Sequence, residues 1–109
     1  MLEELPQHVT EETKSLSDAE LRTRINRMIG SAIPRRAKKR RWKLRETDTF
    51  RRIIYDNVCG APWDQVVSPP AIRNMSRTQL ELVLTLAVGL LDGKVRAQHL
   101  LTRSTAMRS

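Results

Sequence analysis

The sequence predicts an all-α fold: one small domain of three or four helices, with a projecting arginine-rich helix and a flexible acidic N-terminal arm. Three observations carry that prediction. Apolar residues recur at helical spacing in stretches around residues 21–29, 50–58 and 80–91, and two of these stretches open on a capping box. No stretch alternates apolar and polar residues long enough for a strand, since Val66 and Val67 are too few and too near proline. The charge is also concentrated. Residues 35–52 hold ten of the 20 cations and two of the 12 anions, which accounts for the whole net charge of +8.

Residues 1–15 read as the flexible acidic arm, with Glu3, Glu4, Glu11 and Glu12 against Lys14. The helical domain is expected over 16–102. Ser17 with Glu20 three residues on forms a capping box, and Leu16 can staple onto Leu21. Leu21, Ile25, Met28 and Ile29 then share one helical face, with Arg22, Arg24 and Arg27 mostly off it. Gly30-Ser31 is expected to end this helix near Ile29 or Gly30.

Pro34 can open a second helix, where its missing N–H costs nothing. The residues that follow favour helix but offer no apolar face. At ~100° per residue the eight cations Arg35, Arg36, Lys38, Lys39, Arg40, Arg41, Lys43 and Arg45 point all round the axis. Such a helix has nothing to dock with, so it should project, or be unfolded when free. From Phe50 the pattern changes: Phe50, Ile53, Ile54 and Val58 form a stripe that can pack, and Gly60 stops it. Thr47 or Asp48 could cap a separate helix, so one long helix and two short ones both fit.

Residues 60–75 break the pattern. Pro62, Pro69 and Pro70 remove donors, restrict the residues before them and allow a cis peptide bond. With Trp63, Val66, Val67 and Ile72 the loop is too apolar to be a solvated linker, so it should pack on the core or on a partner. Residues 76–92 form the strongest helix. Ser76 and Gln79 make a second capping box, and Met75 can staple onto Leu80. Its polar positions Thr78, Glu81, Thr85, Gly89 and Asp92 form only a narrow stripe, so the helix is either central to a bundle or a homodimer interface. Gly93 ends it. A short helix through Val95, Leu100 and Leu101 could follow, and residues 103–109 read as a frayed tail.

Composition limits the function classes. One cysteine, Cys59, permits no internal disulfide and suits a reducing compartment. The first residues do not read as a signal peptide, and no run reaches the ~20 apolar residues of a membrane span. The expectation is a soluble chain of the cytoplasm, or of the nucleus in a eukaryote, with no membrane partner. Catalysis finds no motif. Cys59 has no partnered histidine, His8 and His99 lack ligand spacing, Asp64 and Asp92 pair with no other carboxylate, and no glycine-rich phosphate loop exists. Neither enzyme activity nor a metal or cofactor is expected.

The cationic run does point to a partner class. A dense cationic segment is most useful against a polyanion, because each neutralised phosphate releases condensed counterions. Guanidinium groups fork onto phosphates and guanine edges, and an indole can stack on a base. The candidate nucleic-acid-binding residues are therefore Arg35, Arg36, Lys38, Lys39, Arg40, Arg41, Trp42, Lys43, Arg45, Arg51 and Arg52. RNA is favoured slightly over DNA, because a helix polar all round suits an RNA fold that surrounds it. The acidic arm could fold over this run and compete with nucleic acid. A second candidate surface is the apolar loop, through Trp63, Val66, Pro69 and Pro70. It suits a different role, a non-enzymatic inhibitor or adaptor docked on a larger nucleic-acid-processing enzyme.

Overall fold

The computed structural model describes residues 5–109, so Glu3 and Glu4 of the expected arm lie outside the described residues. The fold is all-α, with no strand among the described residues. Its helices are α1 (Glu11–Lys14), α2 (Asp18–Arg27), α3 (Ile33–Lys39), α4 (Thr47–Cys59), α5 (Ala71–Asn74), α6 (Arg77–Asp92) and α7 (Ala97–Arg108). α6 is central: it packs against α1, α2, α3 and α4, while α7 lies along α4. The apolar faces of α6 are thus largely used inside the chain, with Leu80, Val83, Leu84, Leu86, Ala87 and Leu90 buried. Of its apolar side chains, Val88 is exposed and Leu82 and Leu91 are partly buried, so a homodimer through 76–92 would have only these to use.

Both capping boxes form as expected. Ser17 Oγ accepts from Glu20 N at 3.1 Å and Ser17 N donates to Glu20 Oε1 at 3.0 Å. Ser76 Oγ accepts from Gln79 N at 3.1 Å, and Ser76 N donates to Gln79 Oε1 at 2.8 Å. Gly60 and Gly93 end α4 and α6 in the left-handed region, at φ 69° and 84°. Arg77, at the first turn of α6, ties the chain start to the bundle. Its guanidinium donates to the carbonyls of Thr13, Lys14 and Leu16 and reaches the carboxylates of Asp18 and Glu81.

The first helix does not stop at Gly30. A π turn over Met28–Ala32 joins α2 directly to α3, with Ile33 N bonded to Met28 O. Pro34 has no N–H for the carbonyl of Gly30, and its ring would crowd that carbonyl in α geometry. The wider π turn relieves that conflict without ending the rod. It also keeps the buried seam in line. Leu21, Ile25, Ile29, Ile33 and Ala37 are all buried and stand four residues apart. In an α-helix each such step drifts ~40° round the axis, and a turn holding more residues takes part of that drift back.

The arginine-rich segment consequently does not project. Ile33 and Ala37 anchor α3 against α4 and α6, and the molecule measures 33 × 30 × 27 Å, with no protruding rod. Of the one-helix and two-helix alternatives, two helices form, with α3 ending at Lys39 and α4 starting at Thr47.

Both expected loose ends are also packed. Residues 5–15 are not a free arm: α1 is capped by Thr10, buries Thr13, and pairs Glu11 with Lys14 and Glu12 with Arg24. The described acidic side chains here therefore do not reach the basic run. The 103–109 tail does not fray, because α7 runs through Arg108 and buries Ser104 completely.

Gly89 does not belong to a solvated stripe. It is buried where the turn after α6 folds back, and its carbonyl accepts from Val95 N at 3.0 Å. A Cβ there would lie 2.6 Å from Val95 Cγ2. Gly89→Ala should therefore cost about 1–3 kcal/mol in urea unfolding, despite the higher helix propensity of alanine.

The 60–75 loop covers one end of the bundle. Val67, Ala71 and Met75 are buried, Pro70 is preceded by a cis peptide bond, and Trp63 meets Tyr55 edge-on at 6.1 Å. Trp63 is thus half-buried in this packing, whereas Val66 is 50% exposed and Pro69 and Pro70 are exposed.

Candidate nucleic-acid interface

The basic run spans three backbone environments. Arg35, Arg36, Lys38 and Lys39 lie on α3, and the last three sit in its final turn, where the helix dipole favours positive charge. Arg40, Arg41 and Trp42 form the turn that closes it. Arg41 N donates to Lys38 O at 3.2 Å, and Trp42 N donates to Ala37 O at 2.8 Å. This is a Schellman closure with Arg41 at the left-handed position usually held by glycine, at φ 56°. Lys43 and Arg45 follow on non-helical chain, and Arg51 and Arg52 stand on the packed helix α4.

Docking through Ile33 and Ala37 gives the run an inner and an outer side. Arg35, Lys38, Lys39, Arg40, Arg41, Lys43 and Arg45 are exposed. Arg36 is half-buried and donates through Nη2 to Leu91 O at 2.8 Å, and Arg45 Nε donates to Trp42 O at 2.9 Å. Among the described residues, none of the eight cations from Arg35 to Arg45 forms an ion pair with a carboxylate. Within the 35–52 run, and again among the described residues, only Arg51 does so, with Asp48 at 2.6 Å. The Nε of Arg52 is buried without a hydrogen-bond partner, an unmet donor at the edge of the basic face.

Arg41 carries backbone strain that a glycine would relieve, because a side chain in the left-handed region costs ~1–2 kcal/mol. Arg41→Gly should raise stability by about 1 kcal/mol in chemical denaturation, and an unchanged midpoint would show that the position is not strained.

Trp42 is half-buried and meets Phe50 edge-on at 6.3 Å. It stands between two hollows. One, of about 320 Å³, lies between the Trp42-Lys43-Leu44 stretch and the turn from Gly93 to Gln98, with Val95 and Ala97 in its lining and Arg96 on its rim. The other, of about 480 Å³, is bordered by Arg36, Arg40, Leu90, Leu91 and Asp92. Both hollows share Trp42 and Gly93. Arg96 joins the basic face from a distant part of the sequence, and sequence reasoning missed it.

A second polar centre, also missed, holds the fold together. Asp56 is fully buried on α4 and accepts four hydrogen bonds: from Trp63 N at 2.9 Å, Ser104 Oγ at 2.6 Å, Arg108 Nε at 2.7 Å and Arg108 Nη2 at 2.9 Å. Burial alone would raise its pKa, but the bonds from Arg108, Ser104 and Trp63 outweigh that and hold the carboxyl below its ordinary value. Beside it, Asn57 Nδ2 donates to Ile53 O and Leu100 O, and Asn57 Oδ1 accepts from Arg103. Every oxygen of the Asp56 carboxylate is occupied within the chain, so the group is structural.

Burial, and then the negative charge of Asp56, push the Cys59 thiol up, opposite to what a nucleophilic thiolate needs. Among the described residues, no group of three or more His, Cys, Asp or Glu could hold a metal ion. No helix among them is long and apolar enough to cross a membrane. Comparison with protein families, with curated proteins and with solved structures found no match to this chain.

Proposed function

We propose that this chain is a small, non-enzymatic, regulatory nucleic-acid-binding protein. Its basic face is built on α3, the turn after it, and the start of α4. One observation carries this reading: eight cations between Arg35 and Arg45 are left without a carboxylate partner among the described residues, although the chain has 12 acidic side chains. Like charges this dense repel one another, and an external polyanion relieves that repulsion while releasing its own counterions. Arg35, Lys38, Lys39, Arg40, Arg41, Lys43 and Arg45 supply mobile phosphate contacts. Arg51 and Arg52 supply contacts of fixed geometry from a packed helix. The proposed site of action is wherever nucleic acid is reached, the cytoplasm or a nucleus.

The one-sided face changes the case for RNA. A helix docked on α4 and α6 cannot be wrapped on all sides, so that reason for preferring RNA falls away. What remains is that RNA offers unpaired bases and irregular backbones to a curved basic surface.

The rival reading, an inhibitor or adaptor on a nucleic-acid-processing enzyme, draws support from the exposed Val66, Pro69 and Pro70. Trp63 is half-buried and meets Tyr55 edge-on, so only part of its ring is left to serve as its anchor. The test is direct binding by fluorescence anisotropy to mixed-sequence RNA, single-stranded DNA and duplex DNA, beside a nuclease-treated pull-down. The nucleic-acid reading expects binding by the isolated chain and loss of captured proteins after nuclease. A stoichiometric protein partner that survives nuclease, with no binding to free nucleic acid, would establish the adaptor instead.

A further inference from the structure

We infer that the hollow between Trp42 and Arg96 is a subsite for one unpaired nucleobase. This inference rests on the nucleic-acid reading and narrows its ligand to single-stranded or locally unpaired nucleic acid. Three features of the hollow converge. Its walls are apolar and aromatic, from Trp42, Leu44, Val95 and Ala97. Its volume of about 320 Å³ lies at the small end of the range of ligand clefts, room enough for one base. Its surroundings are cationic, with Lys43 and Arg96 on the rim and Arg36 and Arg40 in the adjoining hollow, where Asp92 is the one acidic lining residue.

An uncharged aromatic ring that carries negative charge on both sides matches that pattern. A base flanked by its two phosphates is such a group. A paired base is not, because its faces are covered by neighbours in the stack and its edge is engaged. An acidic peptide would satisfy the cations but leave the apolar hollow unfilled. Trp42 suits the stacking role because Phe50 steadies its ring from one edge, so little side-chain entropy remains to be lost when a base stacks on it. The closure of α3 places the indole here, since Trp42 is the residue whose N–H completes the Schellman turn.

The test compares four ligands of equal length: single-stranded RNA, single-stranded DNA, duplex DNA and an abasic phosphodiester strand. Charge is matched between the single strands and the abasic strand, so their difference reports the base alone. The base-containing strands should bind roughly 5- to 150-fold tighter than the abasic strand, the effect of stacking one base. Ala97→Leu, which fills the hollow and leaves Trp42 and every cation in place, should reduce that preference to near unity while abasic binding holds. In a Trp63→Phe background the fluorescence of Trp42 should quench with the base-containing strands and not with the abasic one. The tighter of the RNA and DNA strands identifies the source of the base. Equal affinity for base-containing and abasic strands would overturn the subsite while leaving the electrostatic reading intact. Failure of all four ligands to bind would overturn both.

Discussion

Neutralising Lys38, Lys39, Arg40 and Lys43 together to glutamine should lower nucleic-acid affinity by roughly 10³-fold near 0.1 M salt, the scale of four lost phosphate contacts. All four side chains are exposed and none forms an ion pair among the described residues. Glutamine keeps nearly the helix propensity of lysine and arginine, so α3 loses no intrinsic preference. Stability should therefore stay within about 1 kcal/mol, or rise slightly as repulsion is removed. Arg36 is left out of the set because it also bonds Leu91 O, so that its loss would disturb the contact between α3 and α6. Circular dichroism melts beside anisotropy titrations separate the two effects. Unfolding of the variant would show the run to be structural.

Asp56→Ala should produce the largest loss of stability of any single change considered, about 3 kcal/mol, or on the order of 15 °C in melting temperature. The substitution leaves Ser104 Oγ, Trp63 N and the guanidinium of Arg108 without the acceptor that gathers them. It unfastens α7 from α4 and the 60–75 loop from both. The same group sets an acid limit. Its folded-state pKa lies below its unfolded value, so the protein binds fewer protons at this site when folded. The stabilisation is fully present above about pH 4 and is lost as pH falls through the depressed value. Urea midpoints of the wild type and Asp56→Ala should accordingly converge in acid. A constant gap down to low pH would show that Asp56 acts through packing rather than charge.

The parts of this fold that are legible in the sequence are those fixed by local rules. Ser17 with Glu20 and Ser76 with Gln79 announce helix starts because a hydroxyl and a carboxylate or amide three residues on satisfy each other's backbone. Phe50, Ile53 and Ile54 announce a buried face because nothing else explains their spacing. Elements that dock by other means are hidden from such rules. Ala37 is a small residue among cations, and its burial becomes visible only once the π turn brings it into the seam begun by Leu21. α7 packs through Leu100, Ser104 and its polar bonds to Asp56 and Asn57, so it shows no apolar stripe, and its last turn reads as frayed. Asp56 itself does offer a signal: it stands three residues after Ile53, within a stretch from Ile53 to Asn57 that is buried throughout, where a carboxylate needs partners. Arg96 offers none, since only the turn after α6 brings it beside Trp42.

The central claim is that the outer side of the 35–45 stretch is an unneutralised cationic face that contacts phosphates. Its most direct test is the observed binding constant of the unmodified chain for a short single-stranded RNA, measured from about 50 to 200 mM salt. Six to ten phosphate contacts on a single strand predict a log–log slope of roughly −4 to −7 and a loss of ~3 × 10² to 10⁴ in affinity across that range. An affinity that stays flat with salt would contradict the claim, since the cations would then not be the groups that bind.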